Sequence, residues 1–441
     1  MMRTSTRYIV VLAFCLISIV ALYILNDNID KERERGKNSR PELKFQSEGD
    51  KDGEQQEYKG QKNRKQSGKR TKTQYAMKNS NSGNECTPKK DIIFTKVHKS
   101  GSSTVQNIFL RYGDKHDLTF VLPPMGHHLG YPNYFNKEKH MLHTKDEKYN
   151  IFCHHARFSP DVTEVMPKDS VYISIVRDPV DVFESAFTYF KIDYRMGKVD
   201  NPQALSIFLS NPEKYSKSMR NTVHTRNNML YDYGIPAETF NDEAKLQSAI
   251  DEISEKFSLI IIGEHFEESL ILLKDLLCWT LEDVVVFRLN ARNENSVTKL
   301  SEQDRERIRD WNKGDVMLYK HFNQTLWQKI ARYGRDKMAA EVDKLHKLTN
   351  RYYKNCVQSD HALNGDADFD VWEPRGVKIN GFILKEEAKA NPVCERMVKP
   401  EVLYTEELRR KQFGTNIPRR GQLRKRGIQK RFNPNQNQRY A

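Results

Sequence analysis

Short apolar runs alternate with longer stretches in which apolar residues recur at helical spacing. The apolar runs are six or seven residues long and occupy positions 91–97, 149–155, 170–176, 257–263 and 284–289. Their content of β-branched and aromatic residues is typical of buried strands. The helical spacing occupies positions 104–112, 180–192, 265–277 and 302–353. This alternation predicts an α/β domain over residues 86–400, with a central parallel sheet of five strands flanked by helices.

The N-terminal flank has a different pattern. Residues 8–25 are 18 uncharged and mostly apolar positions, which at about 1.5 Å per residue approach the roughly 30 Å of a bilayer core. Arg3 and Arg7 precede this run, so we expect one transmembrane helix, residues 1–7 in the cytoplasm and the rest of the chain beyond the membrane. A cleaved signal peptide is the alternative, but its apolar core is usually only about 7–15 residues. Residues 26–85 are poor in large apolar residues and predict a disordered stem.

The basic residues are concentrated in the flanks. The chain of 441 residues carries a net charge of +14. Residues 26–85 have 15 basic and 11 acidic residues and residues 401–441 have 11 and 3, whereas residues 86–400 have 45 of each. The central region therefore lacks the basic surface expected of a nucleic-acid-binding domain. Residues 401–441 predict a basic, disordered tail; contact of this tail with anionic glycans or membrane is the functional alternative.

The cysteines suit a domain that lies outside the cytoplasm, where disulfides can form. Cys15 falls within the predicted membrane helix. We predict that Cys356 pairs with Cys394, and that Cys153 and Cys278, which lie among apolar residues, are buried thiols. No CxxC spacing occurs, so the cysteines give no support for a zinc site.

The first candidate site is the segment IIFTKVHKSGSSTVQNIF, residues 92–109. A strand that ends in a Ser/Gly-rich turn and continues as a helix directs backbone N–H groups to one point, which favours an anion. Lys96 and Lys99 add positive charge. The other donors of this loop are Ser100, Gly101, Ser102, Ser103 and Thr104. A Walker A loop places its lysine after the last glycine, whereas Lys99 precedes Gly101, so a triphosphate with magnesium fits poorly.

The second candidate site is VRDPVDVFESAF, residues 176–187. Arg177 ends a predicted strand, Pro179 stands at the favoured first position of a helix, and Ser185 follows on that helix. An arginine at a strand end is also common in ordinary salt bridges. Two phosphate sites on one sheet nevertheless point to a ligand with phosphates at both ends of a nucleoside.

The two segments resemble the donor-binding signatures of sulfotransferases that use 3′-phosphoadenosine 5′-phosphosulfate (PAPS). More closely, the chain resembles the galactose 3-O-sulfotransferase family. The matching stretches are FTKVHKSGSSTVQNIFLRYG, NIFCHHARF, VYISIVRDPVDVFESAFTYF, GEHFEESLILLKDLLCWTLEDVVVFRLNAR and LYKHFNQTLW, spread over about residues 91–334. The resemblance implies a P-loop-like sulfotransferase fold. It also implies a single-pass type II enzyme of the Golgi membrane, with its catalytic domain in the lumen.

The family's reaction gives the residues their expected roles. A sulfuryl group would move from PAPS to the 3-hydroxyl of a galactose on a glycolipid or glycoprotein glycan, with no metal required. Lys99 would contact the 5′-phosphate and the oxygen on which charge grows during transfer. Ser102, Ser103 and Thr104 would hold the 5′-phosphate, and Arg177 and Ser185 would hold the 3′-phosphate. Lys96 lies in the same shared segment and is expected to line the site.

The reaction also needs a base for the sugar hydroxyl, and histidine suits this role because it is largely neutral at working pH. His98 adjoins the loop, and His154 and His155 follow a predicted strand. Neighbours on a strand point to opposite faces, so one of that pair should face the site, and His155 is preferred. The expected acceptor-binding residues are Arg157, Arg226, Asn227, Asn290 and Arg292. The sequon at Asn323 predicts glycosylation.

Other functions remain open from the sequence. The first alternative is a PAPS-dependent sulfotransferase of another glycan, such as a uronic acid in heparan or chondroitin. The second is a membrane-tethered glycan-binding protein without activity, which the presence of Lys99 and Arg177 disfavours. A sugar kinase would need magnesium-binding carboxylates near the loop, and Asp178 is the only obvious one.

Overall fold

A computed structural model describes residues 86–198, 201–219, 223–293 and 297–414. The predicted membrane helix at 8–25 and the predicted stem at 26–85 lie outside these residues. Among the helices that are described, none has the length and apolar character needed to cross a membrane.

The central sheet has four parallel strands in the order β2-β1-β3-β4. The strands are β1 (Ile92–Thr95), β2 (Ile151–Phe152), β3 (Val171–Val176) and β4 (Leu259–Ile262). Nearly every strand residue is buried, on both faces of the sheet, which explains why the runs are continuously apolar rather than alternating. These four strands confirm four of the five predicted strands and the α/β class.

Helices follow the strands as the spacing of apolar residues predicts. They are α1 (Ser102–Lys115), α2 (Lys137–His140), α3 (Pro160–Val165), α4 (Pro179–Tyr189), α5 (Ile192–Arg195), α6 (Ala204–Ser210), α7 (Pro212–Ser218), α8 (Asn228–Asp232), α9 (Glu243–Lys256), α10 (Phe266–Leu277), α11 (Glu302–Trp311), α12 (Lys313–Tyr333), α13 (Arg335–Cys356), α14 (Glu386–Lys389), α15 (Pro392–Val398) and α16 (Glu401–Phe413). Short 3₁₀ helices lie at Ala237–Asn241, Gly263–His265 and Glu282–Val284. The predicted helices at 104–112, 180–192, 265–277 and 302–353 are confirmed within a few residues at their ends.

The fifth predicted strand, at 284–289, is wrong. The run begins as the end of a 3₁₀ helix and continues as extended chain that belongs to neither sheet. Val284, Val285 and Phe287 are buried in the main core, so their hydrophobicity reflects packing rather than strand pairing. The second sheet is instead an antiparallel pair, β5 (Val357–Ala362) and β6 (Gly381–Leu384), which the apolar pattern does not reveal.

The prediction of a disordered tail from residue 401 onward is wrong for its first part. Residues 401–413 form α16, whose Tyr404 and Leu408 are buried in the main core. Arg409 is also buried, and its Nε donates to the carbonyl oxygen of Pro123 at 2.9 Å. The many charges of this segment therefore belong to a packed helix. The rest of the predicted tail, from residue 415, lies outside the described residues.

Two disulfides join distant parts of the domain. Cys356 is bonded to Cys394, as predicted. Cys86 is bonded to Cys278, so the prediction of a free thiol at Cys278 is wrong. Cys278 ends α10 and stands beside Trp279, whose ring stacks on Tyr112 with 3.5 Å between centroids; the apolar surroundings come from this packing. Cys153 is a buried thiol, as predicted.

Candidate functional site

A cavity of about 490 Å³ opens at the carboxyl ends of β1 and β3. In the sheet, β2 lies next to β1 on one side, and β3, the following strand in the chain, lies next to β1 on the other side. Such a switch point leaves a crevice at the carboxyl ends of the strands, where α/β proteins commonly bind ligands. The loops after β1 and β3, which contain the two candidate phosphate sites, therefore meet at one place.

The loop after β1 is held by its own hydroxyl groups. The Oγ atoms of Ser100 and Ser102 both donate to the carbonyl oxygen of Val97, at 2.8 and 2.6 Å. Lys99 and Gly101 have positive φ angles of 60° and 86°, a conformation that glycine adopts without steric cost. The chain thereby reverses and enters α1 at Ser102, so that the helix N-terminus, with its unpaired N–H groups, faces the cavity.

Lys99 lies on the cavity wall beside an aromatic ring. Its Nζ is 3.4 Å from the centroid of the Tyr189 ring, a cation–π contact. Burial, together with the charges of Arg292 and Arg177, lowers the pKa of Lys99 to about 7. Three cationic side chains thus face one cavity, and an anion placed between them would relieve their repulsion.

Arg177 and Ser185 both line the same cavity, as predicted. The guanidinium of Arg177 donates to Asp181 at 2.7 Å, one helical turn away, and about a third of the side chain is exposed. Arg288 and Arg305 are two further cations on the cavity wall. These two were not predicted, because nothing in their local sequence separates them from ordinary surface arginines.

The loop that carries Arg292 is fastened to α4 by a buried ion pair. Arg292 donates to both carboxylate oxygens of Glu184, one of them at 3.1 Å. Glu184 also accepts the backbone N–H of Thr298 at 3.0 Å. Arg292 and Asn290 line the cavity, and their contact with an acceptor stays a prediction. The ion pair holds this loop against α4, so one role of Arg292 is to position the loop on the cavity wall.

His98 is oriented by a buried carboxylate. Its backbone N–H donates to Asp232 at 2.7 Å, and its Nδ1 lies 2.9 Å from the same carboxylate oxygen. Burial raises the pKa of Asp232 to about 7. In its ionised form Asp232 accepts Nδ1–H of His98, which leaves Nε2 as the unprotonated nitrogen. Burial, followed by the charges of Lys96 and Lys99, lowers the pKa of His98 well below its ordinary value. His98 is therefore neutral, with a free lone pair on Nε2, and the same burial and charges make it a weaker proton acceptor than a free imidazole.

His155 faces the cavity and His154 does not. The ring of His155 stacks on that of His98 with 3.8 Å between centroids, and both line the cavity. His154 is fully buried, and its Nε2 lies 2.9 Å from the Oγ1 of Thr405 in α16. The preference for His155, based on the alternation of side chains along a strand, agrees with this placement. His128, which was not predicted, also borders the cavity near this pair.

Two of the predicted donor-binding residues lie behind the cavity. Lys96 is 1% exposed and pairs with Glu401, at the start of α16. Lys96 directly follows β1, so its side chain points to the opposite face from that of Val97. On that face it contacts Glu401 of α16. Ser100 is buried and bonded to the backbone, so it shapes the loop. Neither side chain lines the cavity.

Three of the predicted acceptor-binding residues also lie elsewhere. The guanidinium of Arg157 is held between the rings of Tyr134 and Tyr231, at 3.8 and 4.1 Å. Arg226 packs on Trp311 and donates to its carbonyl oxygen. Both arginines pack within the fold, and neither lines the cavity.

Asn227 and Asn323 likewise have structural surroundings. Asn227 is fully buried, and its Oδ1 accepts the backbone N–H of Asp315 at 3.0 Å. Asn323 lies in the middle of α12 with a buried Oδ1. Transfer of a glycan to Asn323 would have to precede folding of this helix, so its glycosylation stays a prediction.

Besides Arg288, Arg305 and His128, sequence reasoning missed Asp232, Tyr189 and Glu401. Asp232 is 134 positions from His98, and Glu401 is 305 positions from Lys96. Local spacing carries no information about such contacts. The only signal was chemical: a buried lysine and a histidine expected to act as a base each need a carboxylate nearby.

The parallel sheet, the anion loop at the end of β1 and the neutral histidine beside it define an α/β protein suited to transferring a charged group. Comparison with known proteins identifies the class. The galactose-3-O-sulfotransferase family model matches residues 57–412. The chain belongs to this family.

Characterised relatives are similar over most of their length. The human galactosylceramide sulfotransferase is 36% identical over 337 residues, which cover 74% of this chain and 80% of the relative. The human galactose-3-O-sulfotransferase 2 is 37% identical over 339 residues, 74% of this chain and 84% of the relative. The human galactose-3-O-sulfotransferase 4 is 30% identical, over 75% of this chain and 85% of the relative.

Proposed function

We propose that this protein is a sulfotransferase that moves a sulfuryl group from PAPS to the 3-hydroxyl of a galactose on a glycolipid or glycoprotein glycan. The observation that carries the proposal is one cavity in which a neutral, carboxylate-oriented His98 adjoins a cationic loop with Lys99. Family membership supports the reaction, and the names of the relatives support galactose as the acceptor sugar.

The cavity residues fit a donor with phosphates at both ends of a nucleoside. The N-terminus of α1 would hold the 5′-phosphate through the backbone N–H groups of Ser102 and Ser103 and the hydroxyl groups of Ser103 and Thr104, whereas the Ser102 hydroxyl donates to Val97. Arg177 and Ser185, at the end of β3 and on α4, would hold the 3′-phosphate. The lowered pKa of Lys99 fits such a ligand, because a group that is crowded by other cations gains most from a bound anion.

Two residues of this chain would carry the chemical step. The donor supplies the sulfuryl group and a phosphate that departs with the electron pair of the broken S–O bond. His98 Nε2 would take the proton of the galactose hydroxyl as its oxygen forms the new bond to sulfur, and this kind of catalysis contributes about 10²–10⁴-fold. Lys99 would stabilise the charge that grows on the leaving phosphate. His155, stacked on His98, would hold the base in place and border the acceptor.

The rim of the cavity supports an acceptor that carries an apolar group. Large apolar side chains that are 41–48% exposed lie on the cavity wall, namely Val297, Trp372, Val402 and Leu403. Exposed apolar side chains that gather at one ligand site usually have a binding role. The lipid part of a glycolipid acceptor would cover them. We also propose that the enzyme is anchored in the Golgi membrane as a type II protein, on the basis of residues 1–25 and the two disulfides.

The experiment that tests the function offers several acceptors side by side. The full-length protein receives radiolabelled PAPS with galactosylceramide, a lactose-type disaccharide or desulfated heparan, and Lys99→Ala serves as the control. We expect label on the galactose acceptors and none with Lys99→Ala. Label only on heparan would overturn the galactose assignment, and donor binding without transfer to any acceptor would favour the glycan-binding alternative.

Separate variants test the apolar rim. Trp372→Ala should raise the KM for galactosylceramide about tenfold, as expected for a loss of roughly 1.4 kcal/mol of apolar contact. It should leave the KM for lactose unchanged. Equal effects on both acceptors would contradict a lipid contact at the rim.

A further inference from the structure

Three histidines meet at the acceptor end of the cavity in a way that acid–base catalysis does not need. A ring nitrogen from each of His98, His128 and His155 lies within 4.8 Å of those of the other two. The chain brings His128 there through a backbone contact, because Leu129 N–H donates to the carbonyl oxygen of His155 at 2.7 Å. One base requires one imidazole and His155 stacks on it, so the ring of His128 in particular calls for a separate explanation.

The surroundings of these rings match those of a metal site. Metal-binding histidines commonly donate their second ring N–H to a carboxylate, which fixes the ring and makes the ligating nitrogen more basic. Asp232 stands in this position, 2.9 Å from Nδ1 of His98. His155 is 92% buried, and its Nδ1 is enclosed without a hydrogen-bond partner. A buried polar atom with no partner is unusual, and a bound ion is one of the explanations for it.

The distances allow a metal after a small movement. Tetrahedral ligands with metal–nitrogen bonds of about 2.0–2.1 Å are roughly 3.3 Å apart. The ring nitrogens, separated by up to 4.8 Å, would have to approach by about 1.5 Å. Rotation of the side chains about their χ angles provides this movement. It would also break the stacking of His98 on His155, whose planes are nearly parallel at 17°.

We propose that His98, His128 and His155 bind one divalent transition-metal ion of the zinc type, with a fourth position open to the cavity, and that this ion inhibits sulfuryl transfer. Imidazole nitrogens suit zinc rather than magnesium or calcium, which prefer oxygen ligands. The ion occupies the lone pair of His98 Nε2, so the base is no longer available. The site goes beyond the proposed function, and only its inhibitory effect rests on that function.

Metal binding is tested without any substrate. Full-length protein freed of metal is titrated with zinc chloride against a chromophoric chelator. We expect the wild-type protein to bind one zinc ion more than His128→Asn does, or to bind it at least tenfold more tightly. His127→Asn is the matched control, since His127 also borders the cavity but is not one of the three. Its affinity should equal that of the wild type. Equal zinc binding by all three proteins would overturn the site.

A second measurement does not depend on any variant. Cobalt(II) added to the metal-free wild-type protein should give the intense visible absorption of a tetrahedral ion, and zinc should abolish it. A spectrum of hexahydrated cobalt alone would contradict three nitrogen ligands.

Inhibition is measured separately from binding. The rate of each protein in chelator serves as its own zinc-free reference. Added zinc should inhibit the wild type and His127→Asn, whereas His128→Asn should require at least ten times more zinc. Magnesium should not inhibit any of them. Activation of the wild type by zinc would overturn the inhibitory role, even if the ion binds.

Discussion

At the scale of single residues, the site depends on charges that face one another across the cavity. Lys99 lies near Arg177 and Arg292, and each of the two arginines has a carboxylate partner, Asp181 and Glu184. Lys99 is placed against the Tyr189 ring. Of these three cations, Lys99 is the one whose pKa a bound anion would raise most. The cavity therefore carries positive charge that an anionic ligand would neutralise.

Donor affinity should fall as the pH rises above 7. The pKa of Lys99 is lowered to about 7 in the free protein, and a bound phosphate group would raise it again. Above pH 7, binding must therefore be accompanied by uptake of a proton. The dissociation constant for adenosine 3′,5′-bisphosphate should increase roughly tenfold between pH 7 and 8.5. Calorimetric titration in the presence of chelator measures this change.

Lys99→Arg is the control for this pH dependence. Arginine stays charged throughout the range, so its dissociation constant should not change between pH 7 and 8.5. A wild-type protein whose affinity is equally constant would show that Lys99 is fully charged before the donor binds.

Residues whose role lies in a local motif could be predicted from the sequence. Lys99 and Arg177 follow strand ends at one edge of the parallel sheet, and Ser102 and Ser185 lie on the helices that begin there. The structure places all four on the cavity wall. The orientation of a side chain just after a strand is less certain. Lys96, two residues before His98, points away from the cavity and into a helix from the far end of the sequence.

At the scale of elements, the C-terminal helix α16 completes the cavity. Its first residues, Glu401, Val402 and Leu403, form part of the wall. Composition could not predict this helix, because a segment with eleven basic residues among 41 resembles a solvated tail. The ion pair between Glu401 and Lys96 fixes α16 against the domain, because it offsets part of the free-energy cost of burying the Lys96 ammonium.

Glu401→Gln should destabilise the protein by about 3–5 kcal/mol, because the Lys96 ammonium would remain buried without its partner. Urea unfolding of the two proteins measures the difference. Lys96→Met combined with Glu401→Gln removes both charges and should recover most of the lost stability. If the double variant is as unstable as Glu401→Gln, the ion pair is not what fixes α16.

The same pair gives an expected acid sensitivity. Burial raises the pKa of Glu401, but the charges of Lys96, His127 and His154 outweigh it, and the pKa lies at about 2. A carboxyl group with a depressed pKa stabilises the fold above its unfolded pKa, about 4.3, and this stabilisation is lost towards pH 2. The double variant should lose less stability than the wild type over this range.

At the scale of the whole molecule, two disulfides fasten the regions that precede and follow the sheet. Cys86 and Cys278 enclose 192 positions, which include the entire central sheet, and Cys356 and Cys394 enclose 38 around β5 and β6. The predicted location beyond the membrane permitted disulfides, yet only the shorter pair was predicted. The longer pair forms because the fold brings the end of α10 next to residue 86. The apolar residues around Cys278 in the sequence do not reveal this contact.

Loss of the longer disulfide should cost more stability. Serine at both Cys86 and Cys278 should lower the free energy of unfolding by about 2–5 kcal/mol, and by roughly 1 kcal/mol more than serine at Cys356 and Cys394, since closing a longer loop removes more chain entropy. Thiol titration of the denatured wild-type protein, without reductant, should find two thiols, Cys15 and Cys153. Six thiols would contradict both bridges and the proposed lumenal location.

The central claim is that His98 takes the acceptor proton in a cavity where Lys99 and the α1 N-terminus hold the donor. The most direct measurement is the single-turnover rate of sulfuryl transfer to galactosylceramide by His98→Asn, beside its affinity for adenosine 3′,5′-bisphosphate. We expect the rate to fall by about 10²–10⁴-fold, with the affinity within a few-fold of the wild type. A rate close to the wild type would contradict the role of His98, and a loss of affinity equal to the loss of rate would make His98 a binding residue instead.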